Sequence, residues 1–246
     1  MEDSEQRSGN GLPSPDQPPG RTRLSEVMEK YQGLVREIFY TGLSGKRARL
    51  PYDDYSKASE TQQQQIMRAL HEAAVADGKR IILEVGPGER LSPLESAVFR
   101  PDTVVFAIDP FFVPKETYGS DPARELTERA KQRKTFAAFF GLAAETIDPQ
   151  LRFDRVQTVF PNAFSHVELA VSASRFVKKG GDLVVVVDPL LHGEPTAEDI
   201  VGALPKDFEA ALTTIDRTQL KDRYGISDTE LAPDARMPVV RAVRKS

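Results

Sequence analysis

The sequence predicts an α/β fold built on a doubly wound, mostly parallel β-sheet. From Arg80 onward, short apolar runs rich in β-branched residues alternate with segments of helical periodicity. This alternation is typical of parallel strands joined by helical crossovers. A turn with two glycines, Gly86-Pro87-Gly88, directly follows the first apolar run and is a second indication of this fold class. With 246 residues, 39% of them hydrophobic, the chain can bury one substantial core.

The N-terminal third is predicted to be a tail followed by two helices. Residues 1–23 contain mainly Ser, Gly, Pro, Asp and Gln, a composition typical of a disordered tail. Apolar residues recur every three or four positions over 24–40, which predicts a helix. A second helix is predicted from the Ser-x-x-Gln capping box at Ser59 to a stop at Gly78. The predicted domains are the tail (1–23), an N-terminal helical extension or lid (24–79) and the main domain (80–246).

The main domain is predicted to contain seven strands, each a short run bounded by polar residues or glycine. They are 81–85, 103–109, 135–140, 154–160, 182–188, 208–215 and 237–243. Helices are predicted at 91–99, 121–133, 166–177 and 196–204. In an open parallel sheet, ligands bind beyond the carboxyl ends of the strands, near the point where the strand order reverses. Functional residues are therefore expected in the segments that directly follow the strands.

Composition excludes several classes of chemistry. The chain contains no cysteine, so disulfides, thiolate metal sites and cysteine nucleophiles are excluded.

The net charge of the chain, -4, gives no overall attraction to nucleic acid. No apolar run approaches the ~18 residues that span a bilayer, and the N-terminus lacks a signal peptide. We therefore expect a cytoplasmic protein without a membrane partner.

The first predicted strand brings a carboxylate and two glycines to one point, Glu84-Val-Gly-Pro-Gly88. The glycines permit a tight turn and a close approach of the backbone to a ligand, and Glu84 offers an acceptor to an ammonium group, directly or through water. Asp109 ends the next strand 21 residues after Gly88. Such folds place an acid at about this separation to bind both hydroxyls of a ribose. The two features together predict a nucleoside site.

The glycine pattern argues against a dinucleotide. A dinucleotide site has Gly-x-Gly-x-x-Gly, so that a helix can begin against the pyrophosphate, but the sixth position here is Leu91. The segment Glu84–Gly88 instead resembles motif I of the class I S-adenosylmethionine-dependent methyltransferases. Val104–Asp109 resembles the second motif of that family, and Phe153–Asn162 the fourth. Residues 169–187 are similar to the helix, glycine turn and fifth strand that follow.

The resemblance implies a Rossmann-like, doubly wound sheet of seven strands with helices on both faces. That sheet is mostly parallel, and its last strand is antiparallel. The resemblance also implies S-adenosylmethionine as the cofactor and an unidentified methyl acceptor, which can be a small molecule, RNA or protein. Oligomeric state is left open.

The resemblance implies specific residues that contact the cofactor. Glu84 would serve the methionine end and Asp109 the ribose hydroxyls, while the backbone at the glycine turn lies along the ligand. The acid that often contacts adenine would fall near Leu142, so a backbone carbonyl or Glu145 replaces it. Arg90 stands where the family often has a third glycine. The cofactor-binding residues implied are Glu84, Gly86, Pro87, Gly88, Asp109, Ala144, Glu145, Phe160 and Pro161.

Two residues after the fourth predicted strand are the catalytic candidates, Asn162 and His166. A methyltransferase mainly has to align donor and nucleophile and to remove a proton where necessary. His166 is placed to act as a general base, since an unperturbed imidazole titrates near neutral pH; the alternative is a structural histidine at a helix start. Asn162 would line an acceptor pocket beside Pro161 and Phe164.

Three further features of the sequence bear on its function. The Phe-Pro-Asn162 turn distantly resembles the Phe-Pro-Asp turn of tRNA guanine-N7 methyltransferases, but the acid and the basic string that follows it are absent, so that specificity is not carried over. Asp188, His192 and Glu194 do not have a recognised metal-ligand spacing, so no metal is expected. The alternative to an active enzyme is a methyltransferase-like binding or scaffold protein with weak or no catalysis, because Arg90 and Leu142 depart from the family pattern.

Overall fold

A computed structural model describes residues 22–31, 36–38, 59–86, 102–108, 136–159, 165–187, 196–224, 232 and 234–246. Eight strands in this part of the chain form one sheet. The strands are β1 (Arg36–Ile38), β2 (Arg80–Val85), β3 (Thr103–Ile108), β4 (Phe136–Phe140), β5 (Phe153–Val159), β6 (Val177–Val186), β7 (Phe208–Asp216) and β8 (Arg236–Arg244). The helices are α1 (Arg23–Lys30), α2 (Glu60–Ala76), α3 (His166–Ser174), α4 (Ala197–Ala203) and α5 (Arg217–Tyr224), with a 3-10 turn at Ala144–Thr146.

The strand order is β1-β4-β3-β2-β5-β6-β8-β7. The five strands from β4 to β6 in this order are mutually parallel, whereas β8 is antiparallel to both of its neighbours and β1 is antiparallel to β4. The chain runs outward from β2 through β3 to β4 and then returns to β5 on the other side of β2. The strand order therefore reverses between β2 and β5, and a ligand site is expected at their carboxyl ends.

The predicted mostly parallel α/β sheet with an antiparallel last strand is confirmed, but the count of seven strands is wrong. Each of the seven predicted strands overlaps an observed one, and β1 is an eighth. β1 lies in the segment predicted as one helix over 24–40, whereas α1 ends at Lys30 with Tyr31 as its C-cap. Gly33 lies between the two and disfavours helix. A three-residue strand exists only through pairing with β4, a distant partner that local periodicity cannot reveal.

Helices cover both faces of the sheet, as predicted. Apolar side chains of α1, α2, α3 and α4 pack on one face in a single core with alternate residues of the strands. On the other face, Leu220 of α5 packs with Ile215, Val184 and Val186. The predicted helices 91–99 and 121–133 lie outside the described residues. None of the described helices is long and apolar enough to cross a membrane.

The N-terminal helices belong to the core of the sheet domain. Leu24 and Met28 of α1 are buried against α2 and the sheet. The Asp77 carboxylate, at the C-cap of α2, accepts hydrogen bonds from the backbone N–H groups of Arg23 and Leu24 at 3.2 and 2.8 Å. These bonds satisfy N–H groups that have no partner within a helix. Helix α1 therefore begins at Arg23, inside the range predicted as a disordered tail.

A histidine is buried among the aromatic residues of this core. The His71 ring lies edge-on to Phe153, with 5.1 Å between ring centroids, and its Nε2–H donates to the carbonyl oxygen of Arg152 at 2.7 Å. Burial lowers the pKa of His71 from its usual value of 6.5 because the charged ring would lose its hydration; the Arg152 carbonyl and the carboxylates of Glu72, Asp154 and Asp148 oppose that effect.

We expect the stability of the folded chain to fall as the pH drops below about 6.5. Below this pH the unfolded chain takes up a proton on His71 that the folded chain resists, so protonation favours unfolding. One such group contributes at most about 1.4 kcal/mol per pH unit. Urea unfolding at pH 7.5 and 5.5 measures the change. His71→Gln should show a shallower pH dependence than the natural chain, and an identical slope in both would contradict the assignment.

Candidate functional site

The carboxyl ends of β2 and β3 are joined by a hydrogen bond from Gly86, the residue that directly follows β2. Val85 and Ile108 are paired in the parallel ladder, and the Gly86 N–H donates to the Ile108 carbonyl oxygen at 2.9 Å. Gly86 has φ +66, a left-handed conformation that residues with a side chain rarely adopt. A Cβ added at Gly86 would have no atom within 4 Å. The backbone conformation, and not local crowding, therefore requires glycine here, and the space beside the turn is open.

Glu84 forms a buried polar contact across the point where strand order reverses. Its side chain lies on the face opposite α1–α4, by alternation with Leu83 and Val85. Glu84 has no exposed surface, and its carboxylate accepts a hydrogen bond from Nε2 of Gln157, which is its register partner on β5. Burying a carboxylate is costly unless it is hydrogen-bonded. The buried carboxylate of Glu84 is therefore a candidate functional group.

Gln157 is a buried polar residue that the sequence patterns did not indicate. It is 1% exposed, next to the fully buried Val156 and Thr158 of β5. Its partner Glu84 is a residue that the sequence patterns had already indicated. An amide in the middle of a predicted buried strand is the signal that could have found it, because buried polar side chains need partners. The identity of that partner depends on the order of the strands, which places β5 beside β2.

The loop after β4 is fixed by helix α2 and by Arg175. The Gly141 N–H donates to Oε1 of Gln63 at 2.8 Å, and Nε2 of Gln64 donates to the Thr146 carbonyl at 2.6 Å. Arg175 donates from its guanidinium to the Ala144 carbonyl at 2.5 Å. Because Phe140 pairs with Ile108, this loop starts beside the end of β3.

Two predicted cofactor residues lie in this loop, and they differ in access. Ala144 is 5% exposed and its carbonyl oxygen is already bonded to Arg175. Glu145 is exposed on the 3-10 turn. Of the two, the Glu145 side chain is the group that a ligand can reach. Leu142 is buried in the core. It occupies the position at which the methyltransferase resemblance implies an acid.

His166 is the first residue of α3, directly after the N-cap Ser165. Its side chain is fully buried. An acceptor molecule cannot touch the imidazole in this conformation, which favours the structural interpretation of this residue over a general base.

The structure brings Glu84 and Gly86 together with the end of β3, and it places Ala144 and Glu145 in the loop after the next strand. The other predicted site residues lie outside the described residues: Pro87, Gly88, Asp109, Phe160, Pro161 and Asn162, with Arg90, Phe164, Asp188, His192 and Glu194. Asp109 follows Ile108 directly in the chain, and Phe160 follows Val159 in the same way. Their roles stay predictions.

A groove of about 410 Å³ lies at the other end of the strands, away from Glu84 and Gly86. It runs between α2 and the segment before β5, and it is lined by Arg68, His71, Glu72, Val75, Asp148 and Leu151 among others. Arg68 and Asp148 form an ion pair at this groove. The groove is at the amino end of β5 and therefore does not coincide with the strand ends where a ligand is expected in this topology.

Comparison with solved structures finds this fold in methyltransferases. The 16S rRNA (adenine(1408)-N(1))-methyltransferase from Catenulisporales acidiphilia is 17% identical, with a TM-score of 0.51 over 82% of this chain and 96% of that one. A variant of that enzyme, solved with the cosubstrate SAM, is 16% identical and has the same TM-score over 72% and 90% of the two chains. The chain has the class I methyltransferase fold.

The 16S rRNA methyltransferase KamB gives a similar result, at 15% identity and a TM-score of 0.51 over 72% of this chain and 93% of that one. Identities this low establish the shared architecture and leave the activity to the chemistry of the site. No protein-family model and no curated protein sequence matches the chain.

Proposed function

We propose that the chain is an S-adenosylmethionine-dependent methyltransferase whose cofactor lies at the carboxyl ends of β2, β3 and β4. The observation that carries the proposal is the left-handed conformation of Gly86, which is bonded to the end of β3 close to the buried Glu84. This arrangement supports the nucleoside site predicted from the sequence, since a left-handed glycine and a buried carboxylate lie at the strand ends where this fold binds ligands.

Each element of the site has a distinct task in this proposal. Glu84, buried against Gln157, would position the strand end that receives the methionine end, and the backbone of Gly86, Pro87 and Gly88 would lie along the ligand. Asp109 accepts hydrogen bonds from the ribose hydroxyls, as an acid at the end of the second strand does in this fold. The buried Ala144, held by Arg175, would position the loop, and Glu145 would accept from the adenine amino group. Phe160 and Pro161, which follow β5 in the sequence, would line the site from that side.

The bound cofactor would supply a methyl group already activated by a positive sulfur. The protein then has to exclude water, align the acceptor and take up a proton where the acceptor releases one. We assign acceptor alignment to Asn162. Because His166 is buried, we assign it the task of holding the start of α3 rather than contacting the acceptor.

RNA is the first acceptor class to test. Two of the solved structures that share the fold are named as 16S rRNA methyltransferases, which supports this choice. Small molecules and proteins stay open, and we do not extend the proposal to tRNA guanine-N7. Incubating the chain with labelled S-adenosylmethionine and separate pools of RNA, protein and metabolites identifies the pool that takes up label.

Cofactor binding is tested by calorimetry with S-adenosylmethionine and its demethylated product. We expect the natural chain to bind both, and Asp109→Ala to bind at least tenfold more weakly, because two hydrogen bonds to the ribose are lost. Asp102→Ala is the matched control, since Asp102 is an exposed acid just before the other end of the same strand.

Equal loss of affinity in both variants would contradict the assignment of Asp109. No binding by the natural chain at millimolar ligand would overturn the proposal and favour the alternative, a scaffold that retains the fold without the cofactor. Binding without label transfer to any pool would support the same alternative for catalysis alone.

A further inference from the structure

The edge of the sheet at β7 has no partner strand within the described part of the chain. β7 is the last strand in the strand order, and all nine of its residues, Phe208–Asp216, pair with β8 on one side. At about 3.4 Å per residue this edge is roughly 30 Å long. An edge strand presents a row of backbone N–H and C=O groups that can pair with another strand.

The middle of β7 is uncovered on both of its faces. Four consecutive residues, Ala211–Thr214, are exposed. Successive side chains of a strand point to opposite faces, so neither face is covered there. Leu212 is 42% exposed, although its register partner Val240 is fully buried in the core. The large apolar side chain of Leu212 is thus partly exposed beside the core, next to backbone groups of β7 that have no partner strand within the described residues.

β7 also lacks the features that usually protect an edge strand. Natural edges are short, or they carry lysine, proline or a bulge. Between Phe208 and Ile215 the single charged residue is Glu209, and this segment contains neither lysine nor proline. The nine pairs with β8 run in continuous register. β1, at the other edge of the sheet, spans three residues.

We propose that β7 pairs with β7 of a second copy of the chain, in antiparallel orientation about a two-fold axis at Leu212. A strand pairs with its own copy through such an axis only in antiparallel orientation, and residues directly opposite must share a face. In this register the two Leu212 side chains face each other, and Ala211 lies opposite Thr213. Each Leu212 then buries apolar surface against the other copy, next to Val240.

The charges along the edge favour this register. Glu209 comes opposite Ile215, so no carboxylate faces a carboxylate within the paired strands. Asp216 comes opposite Phe208, so the second carboxylate of the strand also meets no like charge. Like charges directly opposite destabilise a strand pair and opposite charges stabilise it. This register therefore places no like charges opposite each other within the paired strands.

Sedimentation equilibrium of the full chain tests the dimer, and this test is independent of the proposed function. We expect a dimer whose dissociation constant rises at least tenfold in Leu212→Lys, because two lysines then face each other across the axis. Val75→Lys is the control: Val75 is 56% exposed on α2, away from β7, and its replacement should leave the dimer unchanged. Circular dichroism verifies that both variants are folded.

The absence of cysteine allows a second measurement. Residues directly opposite in a strand pair have Cβ atoms about 4.5–5.5 Å apart. Leu212→Cys should therefore form a covalent dimer with a short bifunctional thiol reagent, whereas Val75→Cys should not. The proposal is overturned if the natural chain stays monomeric at all concentrations, if Leu212→Lys leaves the dimer intact, or if the two cysteine variants cross-link equally.

Discussion

Glu84→Gln is expected to weaken binding of S-adenosylmethionine by a factor of about 10–100, while the stability of the folded chain changes by less than about 1 kcal/mol. The amide retains one oxygen that can accept the hydrogen bond from Gln157, and it has nearly the same volume as the carboxylate. What it loses is the acceptor strength of a carboxylate, and hydrogen bonds to charged groups contribute about 1.5–3 kcal/mol.

Glu84→Ala should behave differently. It leaves Nε2 of Gln157 buried without this acceptor and opens a cavity in a sheet where Glu84 has no exposed surface. We expect a loss of about 3 kcal/mol in the free energy of unfolding, from the unsatisfied amide and the cavity together. The pair of variants therefore separates a functional role of the carboxylate from a structural one.

Calorimetry with S-adenosylmethionine and urea unfolding of the same preparations measure both effects. Glu72→Gln is the control, since Glu72 is an exposed glutamate on α2, near the amino ends of the strands. This substitution should change neither cofactor affinity nor stability. If Glu84→Gln binds the cofactor as tightly as the natural chain, the carboxylate has only a structural role.

Gly181→Ala is expected to destabilise the folded chain by about 3 kcal/mol. A Cβ at Gly181 would lie 2.8 Å from the Asp154 carbonyl oxygen, 3.0 Å from that of Lys178 and 3.1 Å from that of Phe153. All three atoms belong to the backbone, so no side chain can move aside to make room. The site lies where the register between β5 and β6 shifts, and relief of the contacts with Asp154 and Phe153 would require separating the two strands.

Two other glycines provide a graded control. Gly180 has φ +74 with open space around its Cβ position, so Gly180→Ala should cost about 1–2 kcal/mol from backbone strain alone. Gly202 lies in α4 with open space and no unusual conformation, so Gly202→Ala should stabilise the chain by up to about 1 kcal/mol. Urea unfolding should rank the losses in the order 181, 180, 202, and a different order would show that crowding at Gly181 is relieved by local movement.

Local sequence patterns were sufficient to predict the fold class. The alternation of β-branched runs with helical periodicity identified seven of the eight strands, and the Ser-x-x-Gln pattern at Ser59 correctly predicted the start of α2. These signals are local, because an apolar run or a helix cap is encoded within a few adjacent residues. Glu84 and Gly86 were identified in the same way, from a carboxylate and a glycine at the end of an apolar run.

The tertiary structure decided the features that depend on distant partners. Arg36–Ile38 forms a strand because β4 lies beside it, and Gln157 becomes part of the site because strand order places β5 next to β2. The imidazole of His166 is a side chain of the type that can act as a general base, but the packing of α3 buries it. Pairing and burial are set by residues far apart in the chain, so a local pattern can name a candidate residue without determining its partner or its access to a ligand.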